Sequence, residues 1–175
     1  MTRQETKAAE FQALHAGEPF VLPNPWDAGS ARVLAALGFK ALATTSSGFA
    51  FTLGRLDGRV TLAETVEHAA ALDRATDLPV SVDLEHGYGP DPASAALAIV
   101  RVAGAGAVGG SIEDYDPAGH LYDLPHAVER VAAAVEAARG IGWPFTLTAR
   151  AENHIRGNPD LEDTIARAAS CGSGP

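Results

Sequence analysis

The sequence predicts an α/β fold of the (β/α)8 TIM-barrel type, present as about five strand-then-helix units. Three observations lead there. Short apolar runs alternate with longer amphipathic ones along the whole chain, and this alternation implies a parallel sheet joined by right-handed crossovers. Polar or charged residues follow four of the expected strands: the hydroxyl run at 44–47, Asp83 with Glu85, Glu113 with Asp114, and Arg150 with Glu152. In a barrel such strand ends converge on one mouth, whereas a doubly wound sheet, the other architecture with this alternation, uses only a crevice at its switch point.

The elements follow in order. Residues 20–22, Phe-Val-Leu, form a short strand, and 27–37 form an Ala- and Leu-rich helix stopped by Gly38. A strand at 40–44 precedes a helix at 61–75, whose start is marked by Thr61 as N-cap and Glu64 completing a capping box. A strand at 79–83 leads to a helix at 91–103 with Pro92 at its first position. A strand at 107–112 is followed by a helix at 124–138 that ends near Gly140. The last pair is a strand at 143–149 and a helix at 161–169. A complete barrel needs about 250 residues. The 175 residues here therefore read as one partial barrel domain, 1–175, truncated at its C-terminal side. The stretch 170–175 looks unlike a helix end leading to a sixth strand, which points to a fragment or a frame-shifted gene model.

Composition limits the function classes. Thirteen Lys and Arg against 22 Asp and Glu leave a net charge of −9, which disfavours nucleic acid and anionic membrane as partners. An anionic small molecule stays open, because a bound cation inverts the local sign. No apolar run approaches the roughly 20 residues of a membrane helix. The polar N-terminus does not read as a signal peptide, so the expected compartment is the cytoplasm. The single Cys171 allows neither an intrachain disulfide nor a Cys-based metal site.

Four motifs carry potential chemistry, each with a plainer reading beside it. In Ser81-Val-Asp-Leu-Glu-His-Gly-Tyr-Gly89, strand periodicity puts Asp83 and Glu85 on one face. Two carboxylates so placed repel unless a cation or protons lie between them; the plainer reading is a solvated turn. Gly110-Ser-Ile-Glu-Asp114 ends another strand in two acids. Thr146-Leu-Thr-Ala-Arg150 ends in a guanidinium that fits a substrate carboxylate or pairs with a neighbouring acid. Thr44-Thr-Ser-Ser-Gly48 is either an anion cradle of backbone N–H groups or a hydroxyl-rich turn. Taken together, hard oxygen donors at adjacent strand ends suit Mg²⁺ or Mn²⁺.

These motifs, with Asn24-Pro-Trp-Asp-Ala-Gly-Ser-Ala-Arg32, Leu53-Gly54 and Asp57-Gly58, resemble the isocitrate lyase / phosphoenolpyruvate mutase family and within it the phosphonomutase-like branch. The resemblance runs from about Phe11 to about Ala169 in family order. It implies a Mg²⁺-dependent enzyme acting on a C–C or P–C bond of a small 2-oxo acid or phosphonate through an enolate-like intermediate. It implies that Asp83, Glu85 and Glu113 hold the metal, directly or through water. Arg150 would bind substrate oxygens, Thr45, Ser46, Ser47 and Gly48 would hold the substrate carboxylate, and Asp57 would sit near the reaction centre. Family members commonly form homo-oligomers by exchanging a C-terminal helix, which this chain lacks. Two departures stand out. The second metal-motif acid, commonly Asp, is Glu85, and the loop at 115–123 carries neither the lyase Cys nor the mutase Lys, which argues against isocitrate cleavage by the Cys route. His120 in that loop is a substitute acid or base, or a bystander. The rival expectation is a catalytically inactive barrel fragment with open strand edges.

Overall fold

The computed structural model describes residues 1–172. It is an α/β structure whose four strands, β1 (Leu42–Ala43), β2 (Val80–Asp83), β3 (Gly109–Glu113) and β4 (Thr146–Arg150), pair in parallel in the order β1-β2-β3-β4. Neighbours in the sheet are neighbours in the sequence. This single winding is that of a (β/α)8-barrel wall; a doubly wound sheet would reverse direction at a switch point.

Seven helices accompany the sheet among the described residues. They are α1 (Arg3–His15), α2 (Ala28–Ala36), α3 (Ser46–Thr52), α4 (Leu62–Ala75), α5 (Pro92–Gly104), α6 (Leu124–Arg139) and α7 (Leu161–Gly172). Local chemistry explains their starts. Thr61 and Glu64 close the expected capping box of α4, Asp91 caps α5 before Pro92, and Asp123 caps α6. Along the sheet α2 packs on α4, α4 on α5, α5 on α6 and α6 on α7. The apolar sides of these helices meet the outward face of the sheet. There Val80 and Val82 of β2 and Ile112 of β3 lie among Leu72, Ile99 and Val102, all buried. Each such side chain contributes about 1.5–3 kcal/mol. The alternate residues Ser81, Asp83, Ser111 and Glu113 therefore point to the opposite, inner face.

Four expectations change. The strand expected at 20–22 does not form: the segment meets β1 through one backbone bond, Ala43 N–H to the Pro23 carbonyl at 3.2 Å, and Pro23 and Pro25 have no N–H to extend a ladder. No element is expected before residue 20, yet α1 occupies 3–15, started by a Thr2/Glu5 capping box. The hydroxyl run becomes the N-cap and first turn of the short helix α3 rather than an open loop. Finally, α7 continues through residues 170–172 of the supposedly irregular tail; residues 173–175 lie outside the described ones.

Helix α1 closes the N-terminal ends of the strands. Its Phe11 is buried against Ala41 and Val108, which precede β1 and β3. Beside this contact Lys7 Nζ meets Asp73 at 2.7 Å, Arg3 meets the same carboxylate at 2.7 Å, and Gln4 adds a hydrogen bond at 3.1 Å. Among the described residues no helix is long and apolar enough to cross a membrane.

Candidate active site at the C-terminal strand ends

The opposite end of the sheet collects charge. Each strand delivers a functional side chain in its last position or just beyond. Asp83 ends β2, Glu113 ends β3 and Arg150 ends β4, with Glu113 and Arg150 in direct register. Thr44 and Thr45 follow β1. Thr45 lines, with Ser46, Ser47, Asp57, Tyr115, Glu152, Ile155 and Arg156, a cleft of about 220 Å³ that also holds Asp83, Glu113 and Arg150.

Side-chain bonds fix the strand ends relative to one another. Thr44 Oγ1 accepts the Asp83 N–H at 2.8 Å, and Asp83 Oδ2 accepts the Ser46 N–H at 3.1 Å. Thr45 Oγ1 accepts the Gly48 N–H at 3.2 Å as the N-cap of α3. Two amides of the expected anion cradle are thus already engaged. Ser46 Oγ–H donates to Asp57 Oδ1 at 3.1 Å, bringing the otherwise exposed Asp57 to the rim. Gly48 cannot carry a side chain, because a Cβ would lie 2.5 Å from the Trp26 ring.

The segment after β2 is held in unusual backbone. Glu85 and Tyr88 have φ of +48° and +62°, the left-handed region that non-glycine residues avoid. Arg130 of α6, 1% exposed, explains how this persists. Its guanidinium donates to the carbonyls of His86, Gly89 (2.7 Å) and Asp91 (3.1 Å), and Gly87 leaves the room it needs.

Arg150 is the hub of the charge network. Its guanidinium lies 2.6 Å from Glu113 Oε1, 2.9 Å from Glu152 Oε1 and 3.8 Å from Asp83 Oδ1. Five carboxylates, of Asp57, Asp83, Glu85, Glu113 and Glu152, share this region with the guanidinium groups of Arg150 and Arg156. The imbalance shows in the acids. Burial, then the charges of Asp83, Asp57 and Glu113, push the Glu85 carboxyl up to about 7. Burial pushes Glu113 to about 7 as well, against the lowering effect of Arg150 and with Asp83 and Glu152 raising it further. Glu85 Oε1 is buried without a hydrogen-bond partner. An orphaned oxygen among like charges is what a cation would relieve, and the all-oxygen donor set suits Mg²⁺ or Mn²⁺. Among the described residues, however, no three His, Cys, Asp or Glu side chains close on one point as a ready-made metal cage. The fit is to an ion that keeps part of its water shell.

Of the sequence candidates, Thr45, Ser46, Ser47, Asp57, Asp83, Glu113 and Arg150 line the cleft; Gly48 and Glu85 do not, although Glu85 lies near enough to Asp83, Asp57 and Glu113 to feel their charge. His120 does not join them. It sits in a tight turn closed by the Asp116 N–H to the His120 carbonyl, with its side chain 79% exposed and Nδ1 3.4 Å from Asp116. The cleft lining therefore does not include it. Three contributors are absent from the sequence reading: Arg130, Tyr115 and Arg156. The Arg156 guanidinium stacks on the Tyr115 ring at 3.4 Å. A second Arg shortly after the strand-ending one, in so acidic a chain, is the signal that could have found it.

The model of the phosphoenolpyruvate phosphomutase family matches residues 11–171. A solved chain from Burkholderia cenocepacia J2315, described as a lyase/mutase, superposes with a TM-score of 0.94 at 50% identity over 97% of this chain and 62% of that one. Among curated relatives, oxaloacetate decarboxylase of Marinomonas sp. MWYL1 is 32% identical over 90% of this chain and 56% of its own length. The 2-methylisocitrate lyase of Halalkalibacterium halodurans is 30% identical over 94% of this chain and 56% of its own. The chain thus spans little more than half the length of these curated relatives.

Proposed function

The chain belongs to the phosphoenolpyruvate phosphomutase family, and on that premise we propose that it carries the Mg²⁺-dependent site of a lyase, mutase or hydrolase working beside an enolisable 2-oxo acid. The observation that carries this reading is the buried, unpartnered Glu85 Oε1 among Asp83, Glu113 and Asp57, with Arg150 adjacent. Asp83, Glu85 and Glu113 would hold the ion, directly or through water. When bound, it supplies positive charge for an oxyanion.

The protein's own groups do the rest. Arg150 presents its planar fork to substrate oxygens from the β4 side, where the fixed register with Glu113 sets its orientation. The start of α3, at Thr45, Ser46, Ser47 and Gly48, receives the substrate carboxylate with what hydrogen-bonding capacity the internal contacts leave. Asp57 Oδ1 accepts from both Ser46 Oγ and the Gly58 N–H, so Oδ2 is the atom placed to exchange a proton. The expected ligands are small anions, and the relatives' chemistry leaves C–C cleavage and decarboxylation as the nearest models.

The test is binding. Purified protein should take up Mg²⁺ and then oxalate, a mimic of pyruvate enolate, in calorimetry. Asp83→Ala should lose both, and unchanged binding in that variant would remove the metal role.

A second reading, that the chain holds this site without turnover, is favoured by one observation: among the described residues β4 pairs only with β3, leaving Thr148, Ala149 and Arg150 exposed. Oxalate binding with no product from any 2-oxo acid would favour it. A compact monomer with protected β4 amides in hydrogen exchange would count against it.

A further inference from the structure

The cleft contains two guanidinium groups, and the reading above uses one. Arg150 is closely committed, with carboxylate oxygens at 2.6 and 2.9 Å. Arg156 is not. Its carboxylate neighbours are Glu152 at 3.4 Å and Glu113 at 4.0 Å, and its flat face rests on Tyr115. Stacking fixes the plane of a guanidinium while leaving its edge N–H groups available for a planar, bidentate partner.

The segment that presents Arg156 is anchored from beneath. The Glu152 N–H donates to Asp114 Oδ1 at 2.8 Å, and the Asn153 side chain, fully buried, donates to Asp163 at 2.6 Å. Arg167 of α7 then joins Asp163 (2.7 Å) to Asp114 (3.1 Å). The Arg156 N–H returns to the Glu152 carbonyl at 3.0 Å. The anchored segment also places Ile155 at the cleft beside Arg156. A chain held this firmly delivers its side chain at little conformational cost on binding.

The geometry points to Arg156 as the specificity-determining residue of the cleft: it takes a second anionic group on the substrate, remote from the oxo-acid end held near Arg150. The inference rests on the proposed site and assigns the distal anionic group of its substrate to Arg156. A 2-oxo monocarboxylate leaves Arg156 with its two acidic neighbours and gains nothing from it.

The probes are oxalate, pyruvate, oxaloacetate and 2-oxoglutarate, titrated with Mg²⁺ present into the wild-type chain, Arg156→Gln and Arg156→Lys. In the wild type at least one dicarboxylate should bind about tenfold or more tighter than pyruvate, the size of one charge-assisted contact. Arg156→Gln should erase that preference while the oxalate Kd stays within about twofold, which also reports an intact fold. Arg156→Lys, with charge but no fork, should retain part of it. Equal weakening of oxalate, pyruvate and dicarboxylates in Arg156→Gln would overturn the inference, as would a wild type with no preference for the dicarboxylates. Failure of the wild type to bind oxalate at all would instead overturn the underlying site.

Discussion

The two ends of the sheet handle buried charge in opposite ways. At the N-terminal end, Asp73 receives Lys7, Arg3 and Gln4 together. These partners hold its carboxyl below the ordinary range although burial works the other way. At the C-terminal end, Glu85 and Glu113 are pushed up toward neutrality, and one oxygen has no partner. Similar residue types therefore serve different ends. A satisfied cluster holds a helix in place, whereas the frustrated one fits the proposed cation site.

The largest effect should come from breaking the satisfied end. Asp73→Ala leaves Lys7 buried and uncompensated, and should cost about 3–5 kcal/mol in urea unfolding. Because its folded-state pKa is depressed, Asp73 contributes stability above the unfolded carboxylate value of about 4, and loses it as pH falls through the lower folded value. Asp73→Asn should flatten that acid limb. Next, Arg130→Ala should cost about 2–3 kcal/mol, since three loop carbonyls lose their donor. It should also weaken oxalate binding by releasing the left-handed backbone at Glu85. Undiminished oxalate affinity would separate Arg130 from the site.

Glu85→Gln should act with the opposite sign. Its folded carboxyl lies at about 7 against an ordinary 4.5. Its contribution is therefore fully present below about pH 4.5 and is lost as pH rises through about 7. At pH 8 without metal, the amide should stabilise the chain by about 1–2 kcal/mol in thermal unfolding, while abolishing Mg²⁺ uptake. A loss of stability would break the contrast between the two ends. The smallest effect belongs to Ser46→Ala. Its bond to Asp57 is exposed, so stability should move by less than about 0.5 kcal/mol in urea unfolding, and the change should appear in activity with a 2-oxo acid.

Much of this contrast was legible before any coordinates, but unevenly. Thr61 with Glu64, and Pro92, announced their helices because helix starts are local events, carried by residues a few positions apart. The acids at the ends of β2 and β3 were legible because strand periodicity is local too. Helix α1 was missed although Thr2 and Glu5 form the same box. Its apolar face is small, and Lys7 looks like a solvated residue until Asp73, distant in sequence, is placed against it. The Arg130 grip on the 86–91 backbone and the stacking of Arg156 on Tyr115 are likewise nonlocal. Neither leaves a pattern within one element. The strand expected at 20–22 failed for the converse reason: its composition suits a strand, but the prolines at 23 and 25 remove the donors a ladder needs.

The chain-order pairing of the strands has a consequence for how the molecule is made. Every strand after β1 docks on the strand that precedes it in the chain, and α4 to α7 pack on one another in chain order. Each pairing closes one helical crossover and no more, although parallel pairing of this kind is slower than purely local contact. A chain emerging from the ribosome can add one layer at a time to a growing template. The acidic rim is completed by the same accretion, gaining one charged residue with each layer until Arg150 arrives to bridge those already there.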